Sequence, residues 1–123
     1  MLHTMGHVET VTVLVERSIE IAGEWVAHVL ELDVVTQGRS VAHALEMAEE
    51  AAGIVLSESA APRRRAPEPE WERAYALMRE GERIPLDQLG HHTAAIAALV
   101  AVVEVSVATS TGAPRAWFAR MAA

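Results

Sequence analysis

The sequence predicts an α+β domain, an antiparallel sheet with a helix packed on one face and an additional helix beyond a Pro/Arg-rich connector. Three observations lead to it. Residues 10–16, TVTVLVE, alternate at period two; residues 40–58 carry apolar side chains at helical spacing; and residues 59–70, SAAPRRRAPEPE, interrupt the chain before a second helical stripe. At 123 residues the chain is long enough for one core and too short for two. It is therefore read as a single domain, 1–123, with its core at 8–58, a connector at 59–69, and an additional helix, a closing strand and an aromatic tail at 70–123.

The first strand runs from Thr10 to Glu16, with Val11, Val13 and Val15 on one face and Thr10 and Thr12 on the other. Gly23 supplies a turn, and WVAHVLEL, Trp25 to Leu32, reads as a second strand that pairs with the first as a hairpin. Val34 to Thr36 makes a short third strand, after which Gln37, Gly38 and Arg39 reverse direction. Ser40 then stands where a helix cap belongs. From Ser40 to Glu58, Val41, Ala44, Leu45, Ala48, Ala52, Val55 and Leu56 share a face, while His43, Glu46, Glu49 and Glu50 face away. A second helix is expected from about Glu70 to Glu80, approached by Pro67 and Pro69 and stopped at Gly81, with Trp71, Tyr75 and Met78 along one side. The alanine-rich start of Thr93–Thr109 suits a helical or irregular piece up to about Leu99. Its valine-rich remainder suits a strand, Val100 to Ala108, with Ala101, Val103, Val105 and Val107 inward. STGAP reads as a turn, and RAWFARMAA as a last helical turn carrying Trp117, Phe118 and Met121.

Composition narrows the function. With 51% hydrophobic and 22% charged residues the chain is of globular type, and at 4% aromatic its core must come from Val, Ala, Leu and Ile. Seventeen acidic against 10 basic residues give a formal charge of -7. General nucleic-acid affinity rests on many Lys and Arg contacts to phosphate, so none is expected, and a basic partner is favoured instead. The chain has no cysteine, which excludes disulfides, thiolate metal sites and thiol nucleophiles. No window approaches the ~20 apolar residues of a membrane span, and MLHTMGHVET has no basic region leading into an apolar segment. The expectation is a soluble, cytoplasmic protein.

Several residues invite chemistry and are given plainer readings. The adjacent His91 and His92 do not face one ion together, and no H-E-x-x-H motif exists, so no metal is expected. His28 lies mid-strand without an evident nucleophile or carboxylate beside it. Glu31 and Asp33 share a face if their strand is regular; they are read as turn or partner-contact residues, with metal-dependent hydrolysis as the lesser alternative. One glycine in TQGRS is too little for a phosphate loop, so Gly38 and Ser40 are read as turn and cap. Arg63 to Arg65 read as a solvated loop. The clusters Trp71, Tyr75, Met78 and Trp117, Phe118, Met121 are either core or interface to another chain. No catalytic set and no cofactor are expected.

The stretch WVAHVLELDVVTQGRSVAHALEMAEEAAGIVL resembles the HicB-like antitoxin family. Trp25, Val26, Ala27, Leu30, Glu31 and Asp33 match its W-V-A-x-x-L-E-x-D strand. Val35, Gln37 and Gly38 match its V-x-Q-G turn, and Ser40, Ala44 and Leu45 the start of its helix. The resemblance covers about Thr10 to Leu56, and PEPEWERAYALM is similar to the proline-then-aromatic helix of a longer subgroup. It implies a β-β-β-α-β module similar to a truncated ribonuclease H fold without its nuclease residues. Such a module binds and blocks a small basic mRNA-cleaving toxin of HicA type. The proline-glycine turn of many members is absent, so the chain is expected to run straight through LELDVV. Residues 84–123 resemble neither a helix-turn-helix nor a ribbon-helix-helix domain. The expectation is a non-enzymatic protein-binding module that forms homo-oligomers, with Glu31, Asp33, Trp71, Tyr75, Trp117 and Phe118 as candidate contacts. An orphan homo-oligomeric scaffold is the alternative.

Overall fold

The computed structural model describes residues 8–58, 64–84, 96–106 and 112–121. They form a six-stranded sheet and two helices. The strands are β1 (Val8–Arg17), β2 (Trp25–Val29), β3 (Val34–Gly38), β4 (Glu82–Arg83), β5 (Ile96–Ser106) and β6 (Gly112–Met121). The helices are α1 (Val41–Ser57) and α2 (Glu68–Glu80). The sheet order is β3-β2-β1-β5-β6-β4, and every neighbouring pair is antiparallel.

The predicted β1–β2 hairpin is present, with Val13 opposite Val29 and Arg17 opposite Trp25. Because α1 packs on one face of the sheet at β1 and α2 on the other, Val11 through Val15 are buried without a break. One face carries Val11, Val13, Val15, Trp25, Ala27, Val29, Leu99, Ala101 and Val103, and α1 packs there through Val41, Ala44, Leu45, Ala48, Ala52 and Leu56. The opposite face carries Leu14 and Val100, and α2 packs there through Trp71, Ala74 and Leu77. Two apolar layers therefore share one sheet, and the pleat assigns alternate residues of β1 and β5 to each. Thr10 is exposed as expected of a polar face, whereas Thr12 is buried, 7% exposed.

Both helices obey their sequence signals. The Ser40 hydroxyl accepts from the His43 amide at 3.0 Å, which caps α1. Helix α2 has Pro69 in its first turn and stops at Gly81. It begins at Glu68 rather than Glu70, since a proline near the start surrenders only an amide that has no helical partner. Its buried stripe is Trp71, Ala74 and Leu77, with Met78 partly buried, and Tyr75 lies at its edge, 40% exposed. A Glu16–Arg73–Glu70 chain of ion pairs, at 2.7 and 2.9 Å, fastens α2 to β1.

Three stretches of the chain depart from expectation. Strand β2 ends at Val29, and residues 30–33 turn, so the chain does not run straight through LELDVV. Strand β3 in turn includes Gln37 and Gly38, and direction reverses only at residues 39–40. Second, Ile96 to Leu99 are strand rather than helix, because β1 is long enough to pair with β5 as far as Glu16 opposite Ala98. Third, the last helical turn expected in RAWFARMAA is β6. Its extended backbone pairs with β5 from Gly112 to Met121, and the register shifts beside Pro114, which cannot donate to a regular ladder. Gly112 to Pro114 of STGAP belong to this strand; residues 110–111, His91, His92 and Arg63 lie outside the described residues.

Candidate functional site

The motif that stood out in the sequence folds into one corner, the β2–β3 turn with the start of α1. Strand β1 extends beyond the end of β2, since β2 pairs only with residues 13–17, so Thr12 needs another partner on that side. Glu31 supplies it. Its Oε1 accepts from the Thr12 amide at 2.6 Å and its Oε2 from the Thr12 hydroxyl at 2.8 Å. Alongside, the Leu30 amide donates to the Thr12 carbonyl at 2.9 Å, and the Leu30 carbonyl accepts from the Ala66 amide at 2.8 Å. The turn is thus bonded to β1 on one side and to the connector on the other.

Asp33 ends the turn in the left-handed region, φ 51°, a conformation Asp tolerates better than most residues. Its Oδ1 lies 2.7 Å from His28 Nε2. The expectation that Glu31 and Asp33 share a face is overturned. In a turn the period-two rule lapses, and one carboxylate binds Thr12 while the other binds His28. His28 does have a carboxylate beside it, contrary to the reading of the sequence. A His–carboxylate pair orients an imidazole, but the cross-strand neighbours of His28 are Leu14 and Val35, neither of which is a nucleophile. Among the described residues no group of three His, Asp or Glu side chains is placed to hold a metal.

Gly38 is required by proximity. A Cβ there would lie 2.6 Å from Ala44 Cα, so the first turn of α1 can rest on β3 only because no side chain intervenes. The motif's Trp25 is 3% exposed, with the Arg17 guanidinium 4.4 Å from its ring centroid. On the other side of the sheet Arg65 lies 3.9 Å over Trp71, so it is more than a solvated loop residue.

The remaining candidates separate. Trp71 is 4% exposed and belongs to the α2 core, which removes it as a contact for another chain. Tyr75 remains accessible. Trp117 and Phe118 occupy β6 at the positions opposite Ala101 and Val100, and their side chains lie outside the described residues. Sequence reasoning missed Thr12, His28 and Arg65 as partners of Glu31, Asp33 and Trp71. Only the second pair left a signal, a histidine five residues before an aspartate in a hairpin.

Across the corner, β3 forms one end of the sheet, with Val35 56% exposed. The Thr36 hydroxyl is buried and has no hydrogen-bond partner among the described residues. No helix among those residues is long and apolar enough to cross a membrane. The chain matches no protein-family model, no curated protein and no solved structure. What fold and corner define is an α+β protein whose antiparallel sheet carries a helix on each face.

Proposed function

We propose that the chain is a HicB-like, non-enzymatic protein-binding module that acts as an antitoxin, sequestering a small basic mRNA-cleaving toxin. The observation that carries this reading is the use made of the motif. Glu31, Asp33, Gly38 and Ser40 each serve the corner itself, by bonding Thr12, bonding His28, admitting α1 and capping α1. A motif spent on architecture fits a scaffold whose work is done by its surface. The charge of -7 favours a basic protein partner by steering and complementarity. The divergence of Glu31 and Asp33 counts against the hydrolase alternative, because a shared metal needs convergent carboxylates. The open β3 end of the sheet favours a second reading, a homo-oligomeric scaffold without a toxin.

Co-expression with the product of any small basic reading frame found adjacent to its gene tests the proposal. Co-purification, and rescue of growth from that product, are expected. Absence of both removes the antitoxin role and leaves the scaffold.

A further inference from the structure

We propose that two copies of this chain pair β3 with β3, antiparallel about a twofold axis at Thr36, to make one continuous sheet. The inference goes beyond the antitoxin reading, because it concerns the contact between copies and holds whether or not a toxin exists.

The two ends of the sheet are built differently. Strand β4 has only two residues, Glu82 and Arg83, both exposed and both charged, and short charged strands resist edge-to-edge association. Strand β3 has five residues, VVTQG, with neither charge nor proline. Nothing among the described residues pairs with its outer side. An unguarded strand of this kind is a template for another strand.

What selects a second copy as the occupant is complementarity of the strand with itself. Antiparallel pairing centred on Thr36 sets Val35 against Gln37 and Val34 against Gly38. Beyond the strand, where Asp33 ends a turn and residue 39 begins the reversal, Asp33 of one copy comes to the same end of the contact as Arg39 of the other, at both ends. Opposite charges brought together at the ends of a contact favour it, and like charges oppose it. Asp33 holds His28 through Oδ1, which leaves Oδ2 for the partner's guanidinium. At the axis Thr36 stands opposite its own copy. A foreign strand would satisfy the backbone equally well but has no reason to carry this mirrored order of charges.

Because the chain has no cysteine, a single introduced thiol reports the register cleanly. Sedimentation velocity of the full chain over about 1–500 μM should show a concentration-dependent dimer, as a small strand-to-strand contact implies. The double variant Val35→Lys/Gln37→Lys replaces two exposed side chains and puts lysine opposite lysine. It should weaken the dimer by about tenfold or more while circular dichroism stays unchanged. Thr36→Cys should cross-link under mild oxidation, since directly paired strand residues lie within disulfide reach. Val34→Cys, four residues out of register with itself, should not. A monomer at every concentration overturns the proposal. So does a dimer indifferent to the two lysines, or cross-linking that is no faster in the Thr36→Cys variant than in the Val34→Cys variant.

Discussion

At Gly38 the constraint is space, because the backbone of Ala44 occupies the volume a methyl group would need. Gly38→Ala is expected to lower stability by about 2–3 kcal/mol, since the obstacle is helix backbone with no rotamer to yield. Urea denaturation measures it, and a loss under about 0.5 kcal/mol would show that α1 lifts off β3 freely. Asp33 tests a different property, its positive φ. Asp33→Asn keeps both the left-handed tolerance and a hydrogen bond to His28, and should stay within about 0.5 kcal/mol of wild type. Asp33→Val loses both and should cost about 2 kcal/mol or more. At this scale the sequence showed which residues mattered and concealed why. Glycine and serine at a corner are legible, but Ala44 over Gly38 is a tertiary fact. The turn at residues 30–33 was hidden because LELD contains none of the usual glycine or proline, leaving an aspartate to take the unusual φ.

Helices α1 and α2 were legible as elements because their caps and apolar spacing are local. Ser40→Ala should remove about 1 kcal/mol by orphaning the His43 amide, and thermal unfolding suffices to see it. The opposite faces the helices occupy were not legible. A half-buried β1 and a fully buried one differ only in whether Thr12 and Leu14 are covered, and α2 and Glu31 decide that from afar. Trp71→Ala should therefore cost about 3–5 kcal/mol, whereas Tyr75→Ala should cost little. Strand β6 was the hardest element, since GAPRAWFARM lacks a clean alternation and β5 dictates its conformation. On α1, partial burial and then the charge of Glu46 push the Glu49 carboxyl above its ordinary value. A raised folded value means that its contribution to stability is present below the unfolded value and fades as pH rises through the folded one. Glu49→Gln should accordingly raise the melting temperature more at pH 7 than at pH 4. Equal shifts at the two pH values would remove this account.

For the molecule as a whole, the α2 layer is held to the sheet by more than the packing of α2 itself. The Ala66 amide bonds the Leu30 carbonyl in the turn that Glu31 ties to β1, and Arg65 covers Trp71 one residue earlier. The connector therefore has a fixed point in the middle of exposed chain, between Arg65 and Pro67. In deuterated water this point becomes a clock. The Ala66 amide should exchange far more slowly than those of exposed Arg64 and Arg65 beside it, at the rate at which α2 and its connector detach from the sheet. Mass spectrometry at that one position would then time the opening of the α2 layer without any probe attached to it.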